Sequence, residues 1–83
     1  MNDPVQQAVE QAVGRAFDAW AAEHPSLAAV IDRIALTERS VASLRETDAY
    51  RAAVAAYHRD RSQAELVSRL TDAAAGVLGR LLA

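Results

Sequence analysis

The chain has 83 residues, which is enough for one small hydrophobic core and too few for two. Its composition is that of a globular domain, with 52% hydrophobic residues, 24% charged residues and a net charge of −2. The length excludes multidomain enzymes and cofactor-burying barrels, and the lack of cysteine excludes disulfides and thiolate metal sites. We therefore expect a single helical domain over residues 1–83.

Alanine occupies 20 of the 83 positions. It has the highest helix propensity of all residues, so this composition favours helices. An alanine side chain buries little area, however, and a chain this short buries a smaller share of its surface than a larger domain does. The composition predicts a helical domain of marginal stability as a monomer, which favours self-association.

The first predicted helix covers about residues 4–23. Asp3 followed by Pro4 is a typical helix start, because a carboxylate caps free amides and proline suits the first turn. The helix should end at His24, because the proline that follows disfavours the helical conformation there. Large apolar side chains recur every three or four positions and form one face. They are Val5, Val9, Val13, Phe17 and Trp20.

A second helix is predicted over about residues 26–46 and a third over about residues 48–59. The predicted core face of the second comprises Leu27, Val30, Ile31, Ile34, Val41 and Leu44. The third presents Tyr50, Val54 and Tyr57 on one face. Thr47 can cap a new helix, which predicts a break before Asp48. One kinked helix through residues 44–50 is the alternative, because neither Gly nor Pro stands there.

A fourth helix is predicted over about residues 63–82. Ser62 and Glu65 have the spacing of a capping box, in which each side chain satisfies a backbone amide of the other residue. The broad apolar face that follows comprises Leu66, Val67, Leu70, Ala74, Val77, Leu78 and Leu81. The sequence thus predicts an all-α fold, a small antiparallel bundle of four helices that is closed within one chain or completed by dimerisation.

Five residues are candidates for contact with a partner. Leu36 lies opposite Leu27 on the second helix, and Ala29 and Ser43 stand seven residues on either side of it. Small residues that flank a leucine at heptad spacing permit close helix–helix contact. Gly76 and Gly79 would likewise let a neighbouring helix approach the fourth helix. The alternatives are incidental exposure of Leu36 and a loosened C-terminal helix.

The sequence contains no recognisable catalytic or metal-binding pattern. His24 and His58 are far apart in sequence and have no spacing typical of metal ligands. No serine stands on a glycine-flanked turn, and there is no glycine-rich phosphate loop. We expect no enzymatic activity, no cofactor and no metal ion.

The segment Gln63-Ala64-Glu65-Leu66-Val67-Ser68-Arg69-Leu70 resembles the opening helix of a helix-turn-helix motif. The resemblance covers these eight residues and then departs, because Thr71 stands where the motif has glycine. A second helix after Thr71 would offer only Arg80 for contact with DNA. The resemblance implies the alternative function, a DNA-binding regulator with a degenerate helix-turn-helix in residues 63–80, although the acidic net charge disfavours nucleic acid as a partner.

The function expected from the sequence is that of a small non-catalytic structural or interaction protein. It would act through apolar helix faces, as a homo-oligomer or with a helical protein partner. No apolar run approaches the length of a membrane span, so no membrane contact is expected. Residues 1–4 lack the positive charge that begins a secretory signal, which predicts a cytoplasmic setting.

Overall fold

The computed structural model describes residues 3–82 and contains five helices over that range. They are α1 (Pro4–Glu23), α2 (Pro25–Ala28), α3 (Arg33–Arg45), α4 (Asp48–Asp60) and α5 (Gln63–Leu81). No β-strand occurs within residues 3–82, which confirms the predicted all-α class. The count differs from the predicted four because the second predicted helix is divided into α2 and α3.

Side-chain caps define most of the helix starts, as the sequence indicates. Asp3 Oδ1 accepts a hydrogen bond from the Val5 amide at 2.9 Å. At the start of α5, Ser62 Oγ accepts from the Glu65 amide at 3.2 Å. The reciprocal half of the predicted capping box does not form, because the Ser62 amide donates to Asp60 Oδ1 at 3.0 Å.

The predicted break between the second and third helices is confirmed. α3 ends at Arg45 and α4 begins at Asp48, so the kinked single helix is wrong. Thr47 Oγ1 accepts from the Tyr50 amide at 3.1 Å and donates to the Leu44 carbonyl oxygen at 2.7 Å. One hydroxyl therefore closes α3 and opens α4, without a glycine or a proline.

The predicted helix over residues 26–46 is interrupted. α2 ends at Ala28, and Asp32 caps α3 by accepting from the amides of Ile34 and Ala35 at 3.1 and 3.2 Å. The predicted core face is also wrong at three positions. These are Leu27, Val30 and Ile34, which are exposed.

The rotation of α3 about its axis explains this correction. The Arg33 guanidinium lies 4.5 Å from the centre of the Phe17 ring on α1, so residue 33 faces α1. Residues 36, 40 and 44 follow at spacings of three and four and share that face. Leu36, Ser40 and Leu44 are accordingly buried.

α1 and α5 form the central pair of the fold and run in the same direction. Gln63 Nε2, at the start of α5, donates to the Pro4 carbonyl oxygen at 3.0 Å. At the opposite end, Trp20 of α1 and Gly79 of α5 line the same groove. The expected antiparallel arrangement holds for α1 and α3, because Arg33 at the start of α3 lies over Phe17, whereas Arg45 at its end lines a groove with Gln6 of α1. α4 connects α3 to α5 and packs mainly on α5.

The core is built chiefly from the faces predicted for α1 and α5. Each of these helices contributes six buried residues. The predicted face of α4 is only half-buried, and the small side chains of Ala53 and Ala56 pack inward instead. The remaining buried apolar residues are Leu36 and Leu44 of α3.

Arg61 adopts a left-handed backbone conformation after α4, with φ of 57°. A side chain in this region costs about 1–2 kcal/mol, whereas glycine adopts it readily. We expect Arg61→Gly to raise the free energy of unfolding by about 0.5–1 kcal/mol, since glycine also gains entropy in the unfolded chain. The midpoint of urea unfolding measures the change.

Arg59→Gly is the matched control, because Arg59 lies within α4 and has helical geometry. It should lower the free energy of unfolding by about 1 kcal/mol, the usual cost of glycine in a helix. The two arginine-to-glycine changes therefore have opposite expected signs. Destabilisation by both would contradict the left-handed conformation of Arg61.

Ser40 is fully buried, and its hydroxyl oxygen has no hydrogen-bond partner among residues 3–82. An unsatisfied buried polar group costs about 1–3 kcal/mol. We expect Ser40→Ala to raise the free energy of unfolding by about 1–2 kcal/mol, seen as a higher midpoint in thermal or urea unfolding. Ser68→Ala, at an exposed position of α5, should give only the helix-propensity gain of about 0.5 kcal/mol. Equal effects of the two changes would show that the Ser40 hydroxyl is satisfied.

Candidate interaction surface at the α2–α3 junction

Three large aliphatic side chains stand exposed close together in the chain where α2 turns into α3. Leu27 is 55% exposed, Val30 80% and Ile34 74%. We refer to Leu27, Val30 and Ile34 as the 27–34 surface. Single exposed apolar residues are common on proteins, and these three stand out because they fall within eight residues of one another.

The backbone beneath this surface is held by local hydrogen bonds. The Val30 amide donates to the Leu27 carbonyl oxygen at 3.1 Å, which closes the turn after α2. The cap by Asp32 then fixes the start of α3. Ile31 is half-buried and packs against the core, so the turn is anchored between the exposed residues. The 27–34 surface is thus presented by a defined backbone.

Arg33 attaches the start of α3 to α1. Its guanidinium donates to Asp18 Oδ1 at 2.9 Å and lies over the Phe17 ring. The ion pair is mostly exposed and contributes little stability, but the contact with the ring covers an aromatic residue that is only 4% exposed. Because Arg33 faces α1, the neighbouring Ile34 points away from it to solvent.

An aromatic stack closes the end of α1 from which α2 departs. The centres of the His24 and Trp20 rings are 5.0 Å apart, and the angle between the ring planes is 18°. His24 Nδ1 is also 3.1 Å from the Trp20 carbonyl oxygen. This stack orients the chain at the junction, so His24 has a structural role at a helix end.

The outer-face position on which the predicted Leu36 partner seam depends is not observed. Leu36 is 7% exposed and belongs to the core cluster, so its assignment to the outer face was wrong. Ser43 is half-buried on the same helix, and Ala29 is exposed in the turn after α2. The three positions do not share a face, because the interruption at residues 29–32 separates Ala29 from α3. Of these candidates, Ala29 borders the 27–34 surface.

Gly76 and Gly79 are exposed on α5. A Cβ atom built on either glycine meets no atom within 4 Å, so neither position serves a close approach inside the described chain. Gly79 lines a shallow groove of about 260 Å³ between the ends of α1 and α5, together with Trp20 and Leu78. Contact of the glycines with a partner stays a prediction.

The described residues contain no cluster of side chains that could bind a metal ion. Among residues 3–82, no three histidine, aspartate or glutamate side chains converge in a geometry that would hold a metal ion. His58 lies at the end of α4 beside the Tyr57 ring, away from the junction that holds His24.

α5 does not contain the turn that a helix-turn-helix requires. It is helical from Gln63 to Leu81 without interruption. Thr71, the expected cap of a second helix, instead donates its hydroxyl to the Val67 carbonyl oxygen at 2.7 Å, inside the helix. The segment that the motif would divide into two helices is a single helix, and its apolar face packs in the core.

No protein-family model, curated protein or solved structure matches this chain. None of the five helices, over the described residues, combines the length and the apolar character that crossing a membrane requires.

Sequence reasoning missed the 27–34 surface because it placed all three residues in the core. The available signal was Asp32, a residue that caps helices, directly after the β-branched pair Val30-Ile31. Such a pair has modest helix propensity, and together with the cap it indicates a new helix start. Because of this break, residues 27–30 precede α3 and need not share its buried face.

Proposed function

We propose that this chain is a non-catalytic interaction protein that acts by burying the 27–34 surface against another protein. The observation that carries the proposal is the exposure of Leu27, Val30 and Ile34 on an ordered backbone. A homodimer, the assembly expected from the sequence, is one way to bury this surface. A cytoplasmic setting stays part of the proposal as an expectation from the sequence.

The energetic argument rests on the hydrophobic effect. Full burial of a valine, leucine or isoleucine side chain stabilises a complex by about 1.5–3 kcal/mol. The three side chains are more than half exposed, so a partner can gain most of this free energy at each position. The same residues are exposed in the free chain and lie outside its core cluster, and this supports a role in binding.

The polar groups at the junction are compatible with burial. Asp32 and Arg33 are the only ionisable residues in the segment 27–34. The Asp32 carboxylate accepts hydrogen bonds from two backbone amides, and Arg33 forms an ion pair with Asp18. A partner that covers the apolar side chains therefore leaves neither of these two charges buried without a partner group. Burial of an unpaired charge would cost more free energy than burial of the apolar side chains contributes.

Photo-crosslinking in the native host tests this proposal. Val30 would be replaced by a photoreactive benzoylphenylalanine, and the same residue would be placed at Ala55, an exposed position of α4, as the control. We expect covalent adducts with protein from position 30 and not from position 55. Adding Ile34→Glu to the position 30 variant should abolish them.

Two outcomes would contradict the proposal. One is the lack of any protein adduct from position 30. The other is a duplex DNA complex in a low-salt mobility-shift assay that the Ile34→Glu change leaves intact. The second outcome would favour the DNA-binding alternative, although no contact in the structure supports it.

A further inference from the structure

We infer that the groove between the C-terminal ends of α1 and α5 binds a small aromatic amine in its ammonium form. The groove has a volume of about 260 Å³, and its lining is apolar apart from Glu23. None of the residues of the 27–34 surface lines it, so the inference goes beyond the proposed function. Three properties of the groove carry it: the free space beside Gly79, the apolar lining and the negative charge.

The free space beside Gly79 leaves the groove open to a ligand. A Cβ atom built on this glycine meets no other atom within 4 Å, so a side chain here would have unfilled space to occupy. The groove has the volume of about nine water molecules in the liquid. This is just below the range of about 300–1,000 Å³ that is typical of pockets for drug-sized ligands. The groove therefore suits a ligand of about ten non-hydrogen atoms.

The apolar lining favours an aromatic group on the ligand. Trp20 lines the groove from α1, and Ala75 and Leu78 line it from α5. The centre of the Trp20 ring lies 5.8 Å from that of Phe17 and 5.0 Å from that of His24, so packing holds this ring in place. Pairs of aromatic rings attract each other beyond the effect of the area that they bury. A ligand with an aromatic ring therefore gains more from contact with Trp20 than an aliphatic ligand does.

The charge of the groove favours a cation. Of the described residues that line it, Glu23 alone is ionisable, and its carboxylate forms no ion pair within residues 3–82. Because α1 and α5 run in the same direction, the negative ends of both helix dipoles lie at this groove. Arg80 is in the last turn of α5 but does not line the groove. An ammonium group in the groove is therefore attracted by one carboxylate and by two helix ends.

Glu23 occupies a position that the helix itself disfavours. It is the last residue of α1, and the last turn of α1 contains no basic residue. Cations are favourable at a helix C-terminus and anions are unfavourable, because this end of the dipole is negative. Residues that conflict with such a local preference are expected at functional sites. A cationic ligand supplies the positive charge that the end of α1 lacks.

Fluorescence titration tests the inference, because Trp20 is the only tryptophan of the chain and lines the groove. The probe is phenethylammonium chloride, added to about 50 mM at constant ionic strength and at pH 8, where histidine side chains are ordinarily neutral. We expect a saturable change with a dissociation constant between about 0.5 and 10 mM, as suits a ligand of about nine non-hydrogen atoms. The uncharged analogue 2-phenylethanol should bind at least about 5-fold more weakly, and phenylacetate should give no saturable change.

Gly79→Leu and Gly76→Leu are the matched variants that test the location of the site. Both glycines are exposed on α5, and a Cβ atom at either position has no neighbour within 4 Å, but only Gly79 lines the groove. Both variants should fold, because leucine has a higher helix propensity than glycine. Gly79→Leu should weaken the binding of phenethylammonium at least 10-fold, whereas Gly76→Leu should change it by less than 2-fold.

Glu23→Gln tests the charge, and Glu38→Gln is its control. Glu38 is exposed on α3 and does not line the groove. Glu23→Gln should reduce the preference for phenethylammonium over 2-phenylethanol at least 3-fold, whereas Glu38→Gln should leave the preference unchanged. Both variants remove one negative charge, so a difference between them cannot come from the net charge.

Four results would overturn the inference. One is the lack of a saturable change with phenethylammonium, and another is equally tight binding of 2-phenylethanol. The third is an equal effect of the two leucine variants or of the two glutamine variants. The fourth is binding of Nα-acetyl-lysine amide as tight as that of phenethylammonium, because the groove would then suit a lysine side chain of another protein rather than a small aromatic amine.

Discussion

Leu36→Asp should strongly destabilise the chain. Leu36 is buried in the core cluster at 7% exposure, so the change removes a packed side chain and places a carboxylate among apolar residues. Loss of a buried leucine costs about 2–5 kcal/mol, and a buried charge without a partner adds to that cost. A domain of this size has a stability of about 4–12 kcal/mol, so the change removes a large part of it and should lower the melting temperature by more than about 10 °C. Thermal unfolding followed by circular dichroism measures the effect.

Ile34→Asp is the control for this substitution. Ile34 lies two residues away on the same helix, is 74% exposed and stands in the first turn, where an acid is favourable. Its melting temperature should stay within about 4 °C of the wild type. The interpretation from sequence expects the reverse pattern, with Ile34 in the core and Leu36 at a partner seam. Folding of Leu36→Asp together with unfolding of Ile34→Asp would therefore contradict the observed rotation of α3.

The rotation of α3 could not be derived from apolar periodicity. The buried side of the helix comprises Leu36, Ser40 and Leu44, and it is headed by Arg33 over the Phe17 ring. Two of these four positions are polar, whereas Ile34 belongs to a richer aliphatic series that begins at Leu27. A pattern that counts apolar residues selects that series. Such a pattern does not include the contact of an arginine with an aromatic ring on another helix, as between Arg33 and Phe17.

The faces of α1 and α5 could be predicted because their apolar residues leave no competing choice. On α5, Leu66, Leu70 and Ala74 recur at spacing four, and the opposite side carries polar residues. The relative direction of the two helices could not be predicted from the sequence pattern. It depends on contacts between residues far apart in the chain, such as the bond from Gln63 to the Pro4 carbonyl oxygen.

The 27–34 surface lies outside the central pair of helices, α1 and α5. α2 contacts α1 and is not part of that pair. Ile31, in the turn after it, packs against the core, whereas Leu27 and Val30 are exposed. Val30 and Ile34 can therefore be changed to acids without removing a core contact. This separation allows binding and folding to be tested independently.

Leu70→Ala should cause the largest loss of stability among the truncations that leave the chain without a buried charge. Leu70 is fully buried at the middle of α5, the helix against which α1, α3 and α4 pack. Removing its side chain creates a cavity in the centre of the core and should cost about 3–5 kcal/mol. Urea unfolding should show a lower midpoint with an unchanged slope, since the denaturant slope reports the surface that unfolding exposes.

Leu27→Ala is the matched control, because it is the same substitution on the 27–34 surface. Leu27 is 55% exposed on α2, so its truncation should cost less than about 1 kcal/mol in the monomer. The ratio of the two losses tests whether the core and the 27–34 surface are energetically separate. Comparable losses would show that α2 belongs to the core, and both the exposed surface and its proposed partner would then have to be abandoned.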